Sequence, residues 1–181
     1  MDKTFNAIII EENKNGEFTQ NIRERNINHL PEGDLLVRVK YSSLNYKDSL
    51  SYYGNKGVTK IYPHTPGIDA MGIVVYSNTN KFSEGDKVII TGYDLGMNTP
   101  GGFGEYIRVP KEWATSLPDN LGAYESIILG TAGMTAGLCV NAMLEKHKIK
   151  GKKAVVTGST GGVGCIAVML LDKLGAEVTA I

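Results

Sequence analysis

The stretch Ala154-Val155-Val156-Thr157-Gly158-Ser159-Thr160-Gly161-Gly162-Val163-Gly164 decides the fold class of this chain. It opens with a short apolar run, which is typical of a strand buried on both faces. A glycine-rich turn follows, and apolar residues then recur at helical spacing from Val163 to Leu174. Lys173 and Gly175 suit the end of that helix. With a further strand over Val178–Ile181, the pattern predicts a β-turn-α-β unit of the dinucleotide-binding type.

The glycine-rich turn has the chemistry of a phosphate-binding loop. Glycines let the backbone turn sharply and approach a pyrophosphate without a Cβ in the way. Free N–H groups at a helix start point at the phosphates, and the helix dipole favours their negative charge. A turn that binds nothing is the plain alternative, and four glycines in seven residues argue against it. We therefore predict cofactor contacts from Gly158, Ser159, Thr160, Gly161, Gly162, Val163 and Gly164.

Three other protein classes use similar letters. A nucleoside triphosphatase loop ends in Gly-Lys-Ser/Thr, which Gly164-Cys165 does not supply. Short-chain dehydrogenases carry their glycine motif near the N-terminus with a Tyr-x-x-x-Lys downstream, whereas Tyr52–Lys56 lies upstream here. A methyltransferase stays open as an alternative, but it would not explain the β-rich region that precedes the turn.

That preceding region is mostly β. Period-two alternation predicts a half-buried strand over Leu35–Tyr41. A short helix is predicted over Asn45–Tyr52, with Ser42 and Ser43 as candidate caps. Turn residues separate the further strand candidates, which are Ala7–Ile10, Met71–Tyr76, Lys87–Thr91 and Gly101–Val109. This spacing favours a barrel-like or sandwich arrangement.

The composition changes after Pro118. Ala123–Met143 is rich in Ala, Leu, Ile, Met and Gly, and predicts two helices divided near Gly130-Thr131-Ala132-Gly133. The overall class is therefore α/β with a β-rich N-terminal part. We predict a substrate-side domain over residues 1–122, and a helical connection with the first β-α-β of a nucleotide domain over residues 123–181.

Charge and composition exclude several partners. Lys+Arg and Asp+Glu both number 19, so no basic surplus points to nucleic acid or a membrane surface. The apolar stretch Ala123–Leu144 is interrupted by Glu125 and Asn141, so no transmembrane helix is predicted. No secretory signal is recognisable, and a cytoplasmic location is expected. Cys139 and Cys165 lie in apolar sequence and are predicted core residues.

Five segments together resemble the medium-chain dehydrogenase/reductase superfamily, in its quinone oxidoreductase branch and most closely its bacterial acrylyl-CoA reductase subfamily. They follow the family order over nearly the whole chain: 42–48 (Ser-Ser-Leu-Asn-Tyr-Lys-Asp), 66–69 (Pro-Gly-Ile-Asp), 101–105 (Gly-Gly-Phe-Gly-Glu), 128–133 (Ile-Leu-Gly-Thr-Ala-Gly) and the glycine-rich turn. The resemblance implies a GroES-like barrel followed by the start of a doubly wound Rossmann domain.

The resemblance also implies an activity. It is hydride transfer from NADPH to an activated C=C bond, as in acryloyl-CoA or a related enoyl thioester or enone. A quinone reductase of the same branch is the first alternative, and a dinucleotide-binding or structural protein without turnover is the second. A small-molecule substrate and a homodimeric full-length form are expected.

Zinc is not expected. Zinc alcohol dehydrogenases of the superfamily need a Cys in the segment matching Leu44–Asp48 and Gly-His-Glu in the segment matching Gly67–Asp69. This chain has Asn45 in the first and Ile68-Asp69 in the second. Two cysteines cannot form a four-cysteine structural site. We predict no metal, and surface or loop positions for His29, His64 and His147.

Without zinc, a hydrogen-bond donor must stabilise charge that develops on a carbonyl oxygen. Asn45 and Tyr46 are the candidates by their place in the matched motif, with Asp48 able to cap or orient them. The resemblance places Tyr46 at the nicotinamide end of the cofactor, so we assign it to cofactor binding first. The alternatives are that Asn45 is a helix cap and Tyr46 a packing aromatic. Thr131 and Thr135 are further cofactor candidates, with helix capping as the alternative for both.

The sequence supplies about two strands of a six-stranded Rossmann sheet, so we expect part of a longer protein with an exposed apolar sheet edge. The residue that separates NAD from NADP falls about 20 positions after the glycine motif, at or beyond Ile181. NADPH is therefore implied by the resemblance alone.

Overall fold

A computed structural model describes residues 3–181, and the chain divides into two compact units, Met1–Ile128 and Leu129–Ile181. The strands of the first unit are β1 (Thr4–Glu12), β2 (Phe18–Asn26), β3 (Leu35–Tyr41), β4 (Asp69–Ser77), β5 (Lys87–Thr91), β6 (Tyr106–Val109) and β7 (Ala114–Ser116). Its short helix is α1 (Tyr46–Tyr52), and 3-10 turns cover Ile27–His29 and Lys111–Trp113. The remaining elements are α2 (Ala123–Lys146), β8 (Lys153–Val156), α3 (Gly162–Lys173) and β9 (Glu177–Ala180).

The first unit is built on an antiparallel sheet of order β6-β3-β4-β5-β7, beside the β1–β2 hairpin. Leu35 and Val37 point into one core cluster, where they meet Val74, Val88 and Ile107. Alternation sends Leu36 to the other face, where it joins a second cluster with the hairpin residues. The predicted strand β3 is confirmed, but it buries both faces at its start.

Strand β2 was not predicted, because its sequence is almost entirely polar. It pairs with β1 along its whole length, with Ile8 opposite Ile22. Ile22 is 76% exposed, so no apolar stripe shows the strand in the sequence. Its place depends on the ladder to β1, which is a non-local interaction.

Helix α2 is interrupted where two helices were predicted to meet. Gly130 has φ 48° and ψ −150°, which only glycine adopts without strain. By length and composition alone, Ala123–Lys146 would be long and apolar enough to cross a membrane, whereas no transmembrane helix was predicted there. The kink leaves residues 131–146 as the longer straight part, about 24 Å, against about 30 Å for a hydrocarbon core.

The second unit contains a parallel β8–β9 pair in the register Ala154 opposite Val178, connected by α3. Its core cluster is Val140, Ile149, Leu171 and Ala176. The prediction that β8 is buried on both faces is wrong for this chain, because Val155 is 62% exposed. A two-stranded sheet covers too little of its strands to bury them.

Three side chains lie in surroundings opposite to those predicted. Cys139 and Cys165 are exposed thiols rather than core residues. His64 is only 2% exposed, and its Nε2 lies 2.9 Å from the carbonyl oxygen of Gly96. Because a carbonyl only accepts, the neutral ring donates this hydrogen bond.

Candidate active site

The start of α1 is held by one buried carboxylate. Asn45 is the N-cap, and its N–H donates to Asp48 Oδ2 at 2.8 Å as part of a capping box. Asp48 Oδ1 accepts the N–H groups of Gly67 at 3.2 Å and Ile68 at 2.8 Å. Gly67 has φ +108°, which lets two successive N–H groups converge on one oxygen. Asp48, 2% exposed, therefore joins the helix start to the 66–69 turn.

The Asn45 carboxamide faces a second buried carboxylate. Its Nδ2 lies 3.0 Å from Asp69 Oδ2, 3.3 Å from Asp48 Oδ2 and 3.2 Å from Ser43 Oγ. The Ser43 hydroxyl donates to Asp69 Oδ2 at 2.5 Å. Ionised carboxylates only accept, so the NH₂ group of the amide must face them.

This geometry bears on the donor role proposed for Asn45. An amide nitrogen has two hydrogens, and three acceptors of the protein surround this one. The side chain is therefore committed to capping α1 and bridging the two carboxylates. The helix-cap alternative is the one that this arrangement favours, and a substrate oxygen would have to displace an internal acceptor to use Asn45.

Tyr46, unlike Asn45, faces solvent. It is the first residue of α1 and is 80% exposed, beside Leu44 at 87%. Its ring does not serve as a packing aromatic within the described part of the first unit. The hydroxyl is available to a ligand, and the capped helix start holds the backbone that carries it.

Burial raises the pKa of the Asp48 carboxyl, and the charge of Asp69 adds to that rise. The N–H groups of Asn45 and Ile68 and the Asn45 amide partly offset this rise in the Asp48 pKa. Burying a carboxylate is costly unless its oxygens accept hydrogen bonds. At Asp48 the donors converge on both oxygens, so the network supports the ionised form against the cost of burial.

In the second unit the glycine-rich turn lies between β8 and α3, as predicted. Gly161 caps α3, and a glycine offers no side chain to occupy the first N–H groups. Gly158 has φ +62°, and its carbonyl accepts the N–H of Gly161 at 3.0 Å. A Cβ on Gly164 would lie 2.2 Å from the Gly158 oxygen, so this crossing requires glycine. The turn thus presents free backbone donors without side chains in front of them.

The other predicted contact residues of this unit differ in whether their hydroxyl groups already have a partner within the protein. Thr160 is exposed, whereas the Ser159 hydroxyl donates to the Ile181 carbonyl at 3.1 Å. Thr131 directly follows the Gly130 kink. The Thr135 hydroxyl donates to the Thr131 carbonyl at 2.8 Å, inside the helix, which leaves its lone pairs for a ligand. Thr135 is therefore not at a helix start.

Two members of the network were not identified from the sequence. The sequence predicts only a helix cap at Ser43, and at Asp69 only the replacement of a zinc-site Glu. Their signal was present, since Ser43 and Asp69 lie in two of the segments that carry the family resemblance. Nothing in the sequence showed that residues 26 positions apart share a hydrogen bond.

Comparisons with known proteins agree with this architecture. Residues 31–119 match the alcohol dehydrogenase GroES-like domain. YhfP of Bacillus subtilis, whose name assigns it provisionally to the quinone oxidoreductases, is 42% identical over 99% of this chain and 54% of its own length. AcuI of Escherichia coli, named a probable acrylyl-CoA reductase, is 41% identical over 97% of this chain and 54% of its own length. The chain is thus similar to members of the medium-chain dehydrogenase/reductase superfamily.

Solved structures of this superfamily extend the likeness to the fold. The Salmonella enterica YhdH oxidoreductase in complex with NADP superposes with a TM-score of 0.91 at 41% identity, covering 97% of this chain and 54% of that one. Bacillus subtilis YhfP with NAD bound gives a TM-score of 0.88 at 38% identity, over 98% and 60%. The predicted fold class is confirmed. The chain spans about half the length of the curated relatives that it matches.

Proposed function

We propose that the protein is a zinc-independent reductase that uses NADPH to reduce an activated C=C bond, with acryloyl-CoA or a related enoyl thioester or enone as the acceptor. The observation that carries the proposal is the glycine-rich turn, whose shape fits a dinucleotide pyrophosphate. Similarity over nearly the whole chain to AcuI supports the substrate class.

The turn supports the cofactor part of the proposal by its stereochemistry. The first N–H groups of α3 have no capping side chain in front of them, and the α3 dipole adds positive potential there. Thr160, Gly161, Gly162 and Val163 would contact the phosphates. When bound, NADPH supplies the hydride that adds to the double bond. One of the similar structures contains NADP and another contains NAD, so the two cofactors must be compared by experiment.

Tyr46 is the proposed catalytic residue. Conjugate reduction places negative charge on the carbonyl oxygen of the acceptor, and a donor aimed at that oxygen lowers the barrier. The Tyr46 hydroxyl is exposed and carried by a capped helix start. Asn45 is assigned a supporting role, because its amide hydrogens already have acceptors.

Zinc independence rests on the residues at the start of α1. The Asn45 amide and the carboxylates of Asp48 and Asp69 occupy this place, without a thiolate or an imidazole. Asp48 accepts backbone N–H groups, and Asp69 accepts the Asn45 amide and the Ser43 hydroxyl. Within residues 3–181, no group of three or more His, Cys, Asp or Glu side chains is arranged to hold a metal.

The test is a comparison of acceptors with the protein expressed from its complete reading frame. We expect NADPH oxidation with acryloyl-CoA, at a higher kcat/KM than with NADH and without loss after chelator treatment. Failure to oxidise NADPH with acryloyl-CoA, enones and quinones alike would refute the proposal.

A quinone reductase is the second candidate, favoured by the similarity to YhfP. A higher kcat/KM for a quinone than for acryloyl-CoA would select it. Binding of NADPH without turnover of either class would select the dinucleotide-binding alternative.

A further inference from the structure

Helix α1 has an unusual attachment to the first unit. It contains seven residues, too few to be stable in isolation, so its position depends on its anchors. Its buried residues are Asp48 and Ser51, and both are polar. Tyr46 at its start and Tyr53 after its end are 80% and 73% exposed. Leu50 and Tyr52 are half-buried, so the fully buried contacts that place this helix are polar ones.

The two anchors act at opposite ends. Ser51 Oγ lies 2.7 Å from Thr59 Oγ1, and the Ser51 carbonyl accepts the Tyr62 hydroxyl at 3.1 Å. Asp48 holds the other end through the Asn45, Gly67 and Ile68 N–H groups. Of these two anchors, Asp48 is the one that contacts Asn45, the residue that directly precedes Tyr46; Ser43 and Asp69 contact the Asn45 amide as well.

We propose that Asp48 is a positioning residue, whose carboxylate fixes the start of α1 against the 66–69 turn and so sets the Tyr46 hydroxyl. This inference rests on the proposed function of Tyr46. The charge is essential to the role, because each oxygen accepts hydrogen bonds from donors of the surrounding backbone. An asparagine at position 48 has an NH₂ group in place of one carboxylate oxygen. That group would face either the Asn45 N–H or the N–H groups of Gly67 and Ile68, which are donors themselves.

The test uses Asp48→Asn in the protein expressed from its complete reading frame. Two readouts are independent of each other. Hydrogen exchange at the Asn45, Gly67 and Ile68 amides should become at least 10-fold faster, because they lose an ionised acceptor. The kcat for acryloyl-CoA should fall about 100-fold, since a misplacement on the order of 1 Å costs this much.

A cycle with Tyr46→Phe separates positioning from general destabilisation. If Asp48 acts through Tyr46, the double variant should have the kcat of the Tyr46→Phe variant, because coupled residues are not additive. Independent, multiplying losses would overturn the inference. Asp48→Glu keeps the charge and should recover part of kcat, and it serves if the Asn variant does not fold.

Two control variants calibrate the result. Asp34→Asn removes a carboxylate that accepts a backbone N–H, that of Lys111 at 3.0 Å, away from α1. Ser51→Ala removes the anchor at the other end of the helix. Asp34→Asn should keep kcat within 2-fold, and Ser51→Ala should lose clearly less kcat than Asp48→Asn. An equal loss of kcat in Ser51→Ala would overturn the specific role of Asp48.

Different results would contradict the anchoring role of Asp48 and the catalytic role of Tyr46. If Tyr46→Phe keeps full kcat while Asp48→Asn speeds exchange at the three amides, the catalytic role of Tyr46 is wrong and the anchor stands. If exchange at these amides is unchanged in Asp48→Asn, the anchor itself is refuted, whatever the activity.

Discussion

Replacement of Gly67 by alanine should be among the most damaging single changes in the first unit. Gly67 has φ +108°, and a Cβ there would lie 2.7 Å from the backbone nitrogens of Gly102 and Phe103. Those atoms belong to a tight backbone pairing, in which Gly102 N–H donates to the Gly67 carbonyl at 2.8 Å. Backbone atoms cannot rotate away as the end of a side chain can.

The cost has two separable parts. A non-glycine residue at a sparsely populated positive φ costs about 1–3 kcal/mol. Forcing an extra carbon into a packed site costs about 1–3 kcal/mol more. Gly67→Ala should therefore lose about 4 kcal/mol of unfolding free energy, a large part of the roughly 5–15 kcal/mol that a domain has.

Two further glycines provide matched controls. Gly85 has φ +95° but no atom within 4 Å of a built Cβ, so Gly85→Ala carries the backbone strain alone. We expect it to cost about 1–2 kcal/mol. Gly137 lies in α2 with open space around it, and Gly137→Ala should stabilise by up to about 1 kcal/mol.

Urea unfolding followed by tryptophan fluorescence measures the Gly67 and Gly85 changes in the first unit, and circular dichroism measures the Gly137 change in the second. Trp113 is the only tryptophan of this sequence and packs against the main core cluster. If Gly67→Ala unfolds at the same urea concentration as Gly85→Ala, the 101–103 segment moves aside freely. A steric cost of the added Cβ at position 67 would then be refuted.

Three other predictions concern protonation, the glycine-rich turn and the catalytic hydroxyl. Burial lowers the pKa of His64, so as the pH falls the unfolded chain takes up a proton on this ring before the folded chain does. The free energy of unfolding should therefore fall as the pH drops below about 6.5. In His64→Gln the urea midpoints at pH 7.5 and 5.5 should differ less than in the wild type, and an unchanged difference would contradict the role of His64. Gly164→Ala should weaken NADPH binding at least 10-fold in a fluorescence titration, because its Cβ would displace Gly158, and wild-type affinity would exclude the turn as the phosphate site. Tyr46→Phe should lower kcat about 100-fold with the melting temperature unchanged, since the side chain is exposed; steady-state kinetics beside a thermal melt would show whether the loss is catalytic.

Local sequence predicted those parts of the fold that local interactions determine. Strand β3 and helix α3 follow from alternation and helical spacing, and the kink at Gly130 follows from Gly130 and Gly133. Strand β2 could not be predicted in this way, because its polar residues owe their conformation to the β1 ladder. The burial of His64 likewise depends on a carbonyl 32 positions away.

The candidate site divides along the same line. The glycine-rich turn was predicted because β8, the turn and α3 are consecutive in the chain. The network at α1 needed the fold, because Asp69 at the start of β4 reaches Asn45 across 24 positions. Family resemblance identified the segments, and only the contacts showed which atoms of Asn45 are already committed.

The polar anchoring of α1 has a physical rationale in the exposure of Tyr46. A buried carboxylate is weak evidence for stability, because its desolvation offsets much of what its hydrogen bonds contribute. An apolar residue at position 48 would pack more cheaply, but it would leave the Gly67 and Ile68 N–H groups without an acceptor. It would also give no directional contact to the Asn45 N–H. Hydrogen bonds specify angles that apolar contacts leave free. The role proposed for Tyr46 needs one exposed hydroxyl at a defined place, and a carboxylate serves that role better than a hydrophobic contact would.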